Sequence, residues 1–356
     1  MTAIRVALVG AGHISGTHLA GWKRTPHGDV VGIFDVDAAS AARRAKSYGV
    51  ARVFESLEEA CATADLVDVC TPPHTHPAIV RRAVEAGCDV LVEKPVVTDL
   101  ADWEGLLPLF EGGSSRLGVI HNLKFTGAVV RAHRWLNEGR IGKLLRLRHE
   151  FLTDPSTDRM LAGPHWSHDL PGGRWFETLP HALYLTHFFA GALEPADVVA
   201  LSTGRDVLGA PADEVAVTLA GESTIATFHY SASCRENRRT LVLEGSDGVL
   251  SIDRLADSLL VERRRDSRAG RSLGPLPGGA WKRLLALPRD RGAYLADRLA
   301  GRTPHARMIA DFAAHVATGA PSPTPLAEVD YVIRTGEAIG RRIDAAAAGG
   351  GSRASD

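Results

Sequence analysis

Along the first third of the chain, apolar and polar positions switch between two periods. Ile4–Val9 is a near-continuous apolar run, as a strand covered on both faces requires. Comparable short runs lie at 30–34, 66–70, 90–92 and 117–120. Stretches with helical spacing separate them at 13–24, 38–48, 76–86 and 99–110, and Gly49 and Gly87 stand where two of these helices should stop. The alternation predicts a doubly wound parallel sheet; five runs are placed, and two mononucleotide-binding halves lead to an expectation of six strands.

Beyond residue 121 the pattern changes. A helix at 125–138, stopped at Gly139, precedes strand-like runs at 144–151, 197–201, 215–219, 224–231, 240–244, 249–252 and 258–262. Helical pieces fall at 180–189 and 308–317. This predicts an α+β domain with an open, mainly antiparallel sheet and helices on one face. The other face would meet a second copy of the chain, in a homodimer or homotetramer, or be covered by loops or by segment 273–302. That segment is rich in Gly and Pro, then basic and amphipathic, and reads as a solvated insertion or as a lid or interface arm. The expected division is 1–121 and 122–348, with 349–356 as a disordered tail.

Composition narrows the function classes. A formal net charge of −1 gives no reason to expect nucleic-acid or membrane-surface binding. Cys61, Cys70, Cys88 and Cys234 form no CxxC pair, so reduced thiols are expected. The N-terminus enters a strand directly, leaving no room for a secretion signal, and no apolar run could span a bilayer. A cytoplasmic protein is the expectation.

Gly10-Ala11-Gly12-His13-Ile14-Ser15 follows the first strand and opens the first helix. Gly10 permits the tight turn, Gly12 lets backbone N–H groups approach a pyrophosphate, and the helix N-terminus favours its charge. Ser15 replaces the third glycine of the Rossmann fingerprint. Asp35 ends the second strand, where a carboxylate accepts ribose hydroxyls and repels a 2′-phosphate. Val36 follows it, so NAD is expected, with NADP open through Arg43 or Arg44. Asp37, rather than Asp35, is the expected N-cap of the next helix.

Two further motifs are more specific. Thr71-Pro72-Pro73-His74-Thr75-His76 follows what the six-strand reading counts as the fourth strand, and Glu93-Lys94-Pro95 follows the fifth. With AIVRRAVEAGCDVLV between them, they resemble the Gfo/Idh/MocA family of oxidoreductases, as does DFAAHVATGAPSPTPLAEVDYVIRTGEAI near the end. The resemblance implies that a late helix returns to the first domain. It also implies that the Thr-Pro turn lines the cofactor and that Lys94 reaches nicotinamide and substrate. The cofactor-side candidates are then Thr71, Pro72, His76, Glu93, Lys94 and Asn122, beside Gly10, Gly12, His13, Ile14, Ser15 and Asp35.

Gly172-Gly173-Arg174-Trp175-Phe176-Glu177-Thr178-Leu179-Pro180-His181 resembles the family's second-domain motif, a Gly-rich turn followed by Asp and His four residues apart. His181 is thereby the candidate general base, and Glu177 its orienting partner or a substrate ligand. The two share one face if the segment is helical; if Pro180 opens the helix, Glu177 lies in the preceding loop. This chain departs from the family with Glu177 for Asp, Tyr184 for a frequent second Asp, and Lys124 for Arg. Lys124, Trp166 and Tyr184 join Lys94, Glu177 and His181 as substrate candidates. His74/His76 and His165/His168 carry no recognised ligand spacing, so no metal is assigned.

The reaction expected is hydride transfer between a nicotinamide and a secondary alcohol or ketone of a sugar, nucleotide sugar or cyclic polyol. The alternatives are a glycoside hydrolase that recycles bound NAD through oxidation, elimination and reduction, or a non-catalytic nucleotide-binding sensor or scaffold.

Overall fold

The computed structural model describes residues 3–161, 163–203, 207, 209–263, 292, 296–297 and 300–350. The chain divides into two compact units, Met1–Phe125 with Arg298–Arg334, and Thr126–Asp297 with Thr335–Asp356.

Among the described residues, the first unit carries five parallel strands: β1 (Ile4–Val9), β2 (Gly28–Phe34), β3 (Leu66–Val69), β4 (Asp89–Val92) and β5 (Leu117–Val119). Their order is β2-β1-β3-β4-β5. Five replaces the six expected. The apolar runs placed along the sequence are these five, and after helix α2 (Ala38–Tyr48) only an isolated parallel bridge forms, between Val53 and Ile33. The Thr71 and Glu93 motifs therefore follow the third and fourth strands. Helix α1 (Ser15–Trp22), α3 (Leu57–Thr63), α4 (His76–Glu85) and α5 (Leu100–Glu111) connect the strands. Helix α8 (Pro304–Thr318) and the first turns of α9 (Leu326–Gly350) return to this unit, where Met308, Ile309 and Phe312 pack into a cluster with Val6, Trp22 and Leu91.

The second unit holds α6 (Gly127–Asn137), β6 (Leu144–Leu152), α7 (Arg174–Ala190), β7 (Glu194–Leu201), β8 (Glu214–Ala220), β9 (Ile225–Ser231), β10 (Arg238–Gly245), β11 (Gly248–Asp253) and β12 (Ser258–Arg263). The seven strands form one sheet, β12-β11-β10-β6-β9-β8-β7. All neighbours are antiparallel except β6 and β9, which pair in parallel. Register fixes the faces. Val217, Phe228, His149, Leu241 and Ile252 align across five strands and are all buried, under α6 and α7. The row from the other face includes Val199, Ala216, His229, Glu150 and Thr240, and Val199 is 45% exposed. This alternation is the signature of a sheet covered on one side. Segment 273–302 lies almost wholly outside the described residues, as do 351–356 of the expected tail.

Candidate functional site

The glycine-rich turn is built by close approach. Gly10 has φ +101°, and a Cβ on it would lie 2.8 Å from the Cys70 carbonyl carbon. A Cβ on Gly12 would meet nothing within 4 Å. Ile14 caps α1 without a side-chain hydrogen bond, so no side chain of the cap competes with an anion for the helix N-terminus. These features suit a pyrophosphate, and the residues present fit a dinucleotide. Ser15 is buried and donates to the Gly12 carbonyl at 2.6 Å, while His13 precedes it at the turn's exposed side. At Gly16 a Cβ would stand 2.7 Å from Tyr48 Oη of α2. Sequence reasoning missed Gly16 because the fingerprint ends one residue earlier.

Asp35 accepts the Ala11 N–H at 2.6 Å on one oxygen and the Asp37 N–H at 2.8 Å on the other. Each oxygen retains a second acceptor site for a ribose hydroxyl. Asp37 caps α2 by accepting from the Ala39 N–H. Arg44 donates to the Gly12 carbonyl at 2.8 Å, whereas Arg43 bonds Ser40.

The two strand-end motifs are joined by one imidazole. His76 is fully buried, with Nε2 2.9 Å from the Thr71 carbonyl and Nδ1 3.0 Å from the Pro95 carbonyl. Burial lowers its pKa against the pull of both carbonyls. Pro72 leads into the short turn Pro73–Thr75, and the Lys94–Pro95 peptide is cis.

Beneath this turn lies a charged network. His18 of α1, fully buried, has Nδ1 2.9 Å from both Asp68 oxygens and Nε2 2.9 Å from Glu93 Oε1. Trp22 Nε1 donates to Asp68 at 2.7 Å, and the Lys94 N–H donates to Glu93 Oε2 at 3.1 Å. His305 Nε2 lies 3.7 Å from Glu93, and its Nδ1 3.4 Å from Asn122 Nδ2. Sequence reasoning passed over His18, whose partners stand 50 and 75 residues away. Among the described residues, His18, Asp68 and Cys70 bring potential metal donors within 4.8 Å of one another, but both His18 nitrogens already face carboxylates.

Lys124, expected at the substrate, instead donates to Glu328 at 2.7 and 2.9 Å and to the Pro323 carbonyl at 2.8 Å. The physical reason is burial: a lysine with 6% of its surface exposed requires a counter-charge.

In the second unit, α7 starts at Arg174, six residues before Pro180, so the proline is inside the helix and Glu177 is in its first turn. From 174 to 186, only Glu177 and His181 keep appreciable exposure, four residues apart on one helix face. Glu177 accepts from Arg174 Nη1 at 3.1 Å, and Arg174 is held by Asp158 at 3.0 Å and Thr178 at 2.7 Å. His181 Nδ1 lies 2.8 Å from Tyr184 Oη. Tyr184 is fully buried, so it backs the imidazole rather than lining an open surface. The turn before α7 is fixed by Asp344 of α9, which accepts the Gly172 N–H at 3.0 Å on both oxygens. Trp166 is half-buried in the turn Trp166–Asp169, next to His165. His165 faces Ser167, and His168 the Met160 carbonyl.

Residues 4–121 match the oxidoreductase family with an NAD-binding Rossmann fold, and residues 129–251 match the GFO/IDH/MocA C-terminal domain. The chain belongs to the Gfo/Idh/MocA family. It is accordingly an NAD(P)-dependent oxidoreductase, and its first unit is the NAD-binding one. It is 27% identical to UDP-N-acetylglucosamine 3-dehydrogenase of Acidithiobacillus ferrooxidans, over 84% of this chain and 85% of that protein. Inositol 2-dehydrogenase of Rhizobium meliloti is 28% identical over 55% of this chain and 58% of its own. In fold it is similar to levoglucosan dehydrogenase solved with NADH, with TM-score 0.77, 18% identity and 98% of each chain covered. No helix among the described residues is long and apolar enough to cross a membrane.

Proposed function

We propose that this family member oxidises a secondary alcohol on a sugar, nucleotide sugar or cyclic polyol, or reduces the corresponding ketone. The observation that carries the reading is that Glu177 and His181 are the partly buried positions on the otherwise fully buried stretch 174–186 of α7, backed by the His181–Tyr184 bond. His181 acts as the general base. Donation of its Nδ1 proton to Tyr184 Oη leaves the lone pair on Nε2, which accepts the substrate hydroxyl proton. Glu177, steadied by Arg174, accepts a hydrogen bond from a neighbouring substrate hydroxyl. Lys94 supplies a cation that stabilises developing alkoxide charge. NAD, when bound, supplies the hydride acceptor at nicotinamide C4. The relatives named above, acting on a nucleotide sugar and on inositol, support this substrate class.

The test is steady-state turnover with NAD and a panel of polyols, sugars and nucleotide sugars, followed at the reduced-nicotinamide absorbance. Lys94→Ala and His181→Ala are expected to abolish the signal while leaving NADH affinity within about tenfold, or ~1.4 kcal/mol. Full activity in both variants would remove the assignment. Conversion of a glycoside without accumulated NADH would point to the recycling hydrolase.

A further inference from the structure

Both ring nitrogens of His18 face carboxylate oxygens at 2.9 Å, Asp68 on one side and Glu93 on the other. Ionised carboxylates only accept, so satisfying both contacts takes an N–H on each nitrogen, which is the imidazolium. Trp22 provides a second donor to Asp68, which secures the far end of the chain. At the near end, Glu93 divides its two oxygens between His18 and the Lys94 N–H. We infer that His18 is a positioning residue, a buried cation that keeps Glu93 ionised and so clamps the peptide carrying Lys94. His18 touches neither substrate nor cofactor in this role; it acts through Glu93.

The surrounding groups agree with the geometry. Burial alone would push His18 down, but Asp68 carries it well above the ordinary histidine value. Burial alone would raise Glu93, but the His18 bond and charge bring it below the usual carboxylate value, helped by His305 and Lys94. The other titratable groups around Glu93 are Cys70, pushed up to about 12 mainly by burial, and His76 and His305, both driven toward neutrality mainly by burial. Neither histidine is held between two carboxylates as His18 is. Without His18, Glu93 is a buried carboxylate short of its main counter-ion, and burial then drives its pKa up.

The effect on cofactor and catalysis rests on the role proposed for Lys94; the charge on the ring does not. Two measurements on the full chain separate them. With ¹⁵N-labelled histidine, one ring should remain protonated on both nitrogens at about pH 8.5, and that signal should vanish in His18→Gln. If every ring of the wild type is neutral at that pH, the inference is overturned, whether or not the variant folds. NADH affinity is then followed from about pH 8.5 to about pH 5.5. His18→Gln should lose about tenfold on acidification, while the wild type and the His18→Gln/Glu93→Gln double variant stay within about threefold. A loss in His18→Gln that is equal at every pH marks a merely structural role and also overturns it. Failure of the Lys94 assignment looks different: Lys94→Ala keeps full turnover and the two-proton ring signal persists.

Discussion

Gly10 illustrates how much a single position can carry. Its φ of +101° and the 2.8 Å approach to the Cys70 carbonyl leave no room for a side chain. Gly10→Ala is expected to cost about 1–3 kcal/mol in chemical denaturation and to weaken NADH binding. Asp35→Ala removes the acceptor of the Ala11 N–H and should both weaken NAD and narrow its preference over NADP; an unchanged preference in a paired titration would remove Asp35 from the ribose site. His18 and Glu93 give a pH signature with opposite edges. A raised histidine contributes stability that is complete below its ordinary value of 6.5 and is lost as pH rises through its higher folded value. The depressed Glu93 contributes above its ordinary value of 4.5 and loses that contribution as pH falls through its lower folded value. Thermal melts should therefore show the largest gap between wild type and His18→Gln between these edges, with the gap closing toward alkaline pH. Asp37 was legible from sequence as the cap of α2 because its partner, the Ala39 N–H, lies two residues away. Lys124 was not, because its ion pair with Glu328 spans 204 residues and only the folded chain brings the two together.

At the scale of elements, α7 shows why helix boundaries resist a reading of local signals. Pro180 suggested a start, yet the helix begins at Arg174, whose guanidinium is buried against Asp158, Glu177 and Thr178. That tertiary anchoring outweighs the hydrogen bond a mid-helix proline forfeits. Helix α9 completes the arrangement through Asp344, so Asp344→Ala should cost about 1–3 kcal/mol by leaving the Gly172 N–H without its carboxylate. A melt unchanged from wild type would show that the turn holds without it. Helix α3 was overlooked although Ser56 and Glu59 carry an N-terminal signal, with Ser56 accepting the Glu59 N–H at 3.1 Å. Its brevity hid it among the loops. The seven strands of the second unit were readable from period-2 alternation, but the parallel pairing of β6 with β9 was not, since alternation gives faces and says nothing of partners.

Among the described residues, the second unit's sheet has helices packed on one face, and its other face carries Val199, Leu201 and Ile225, exposed by 45%, 57% and 46%. A second copy covering such a face would give a mass in light scattering above that of one chain; a single-chain mass at micromolar concentration would count against it. Fold class and cofactor were accessible from motifs at strand ends because parallel sheets bind ligands there. Substrate identity was not, since it depends on side chains whose surroundings are set by distant segments. The most direct measurement is NAD reduction by the purified wild type across the sugar and polyol panel, run beside His181→Ala. A substrate-dependent rise in reduced nicotinamide that disappears in the variant is expected. A rise of equal rate in both would contradict it.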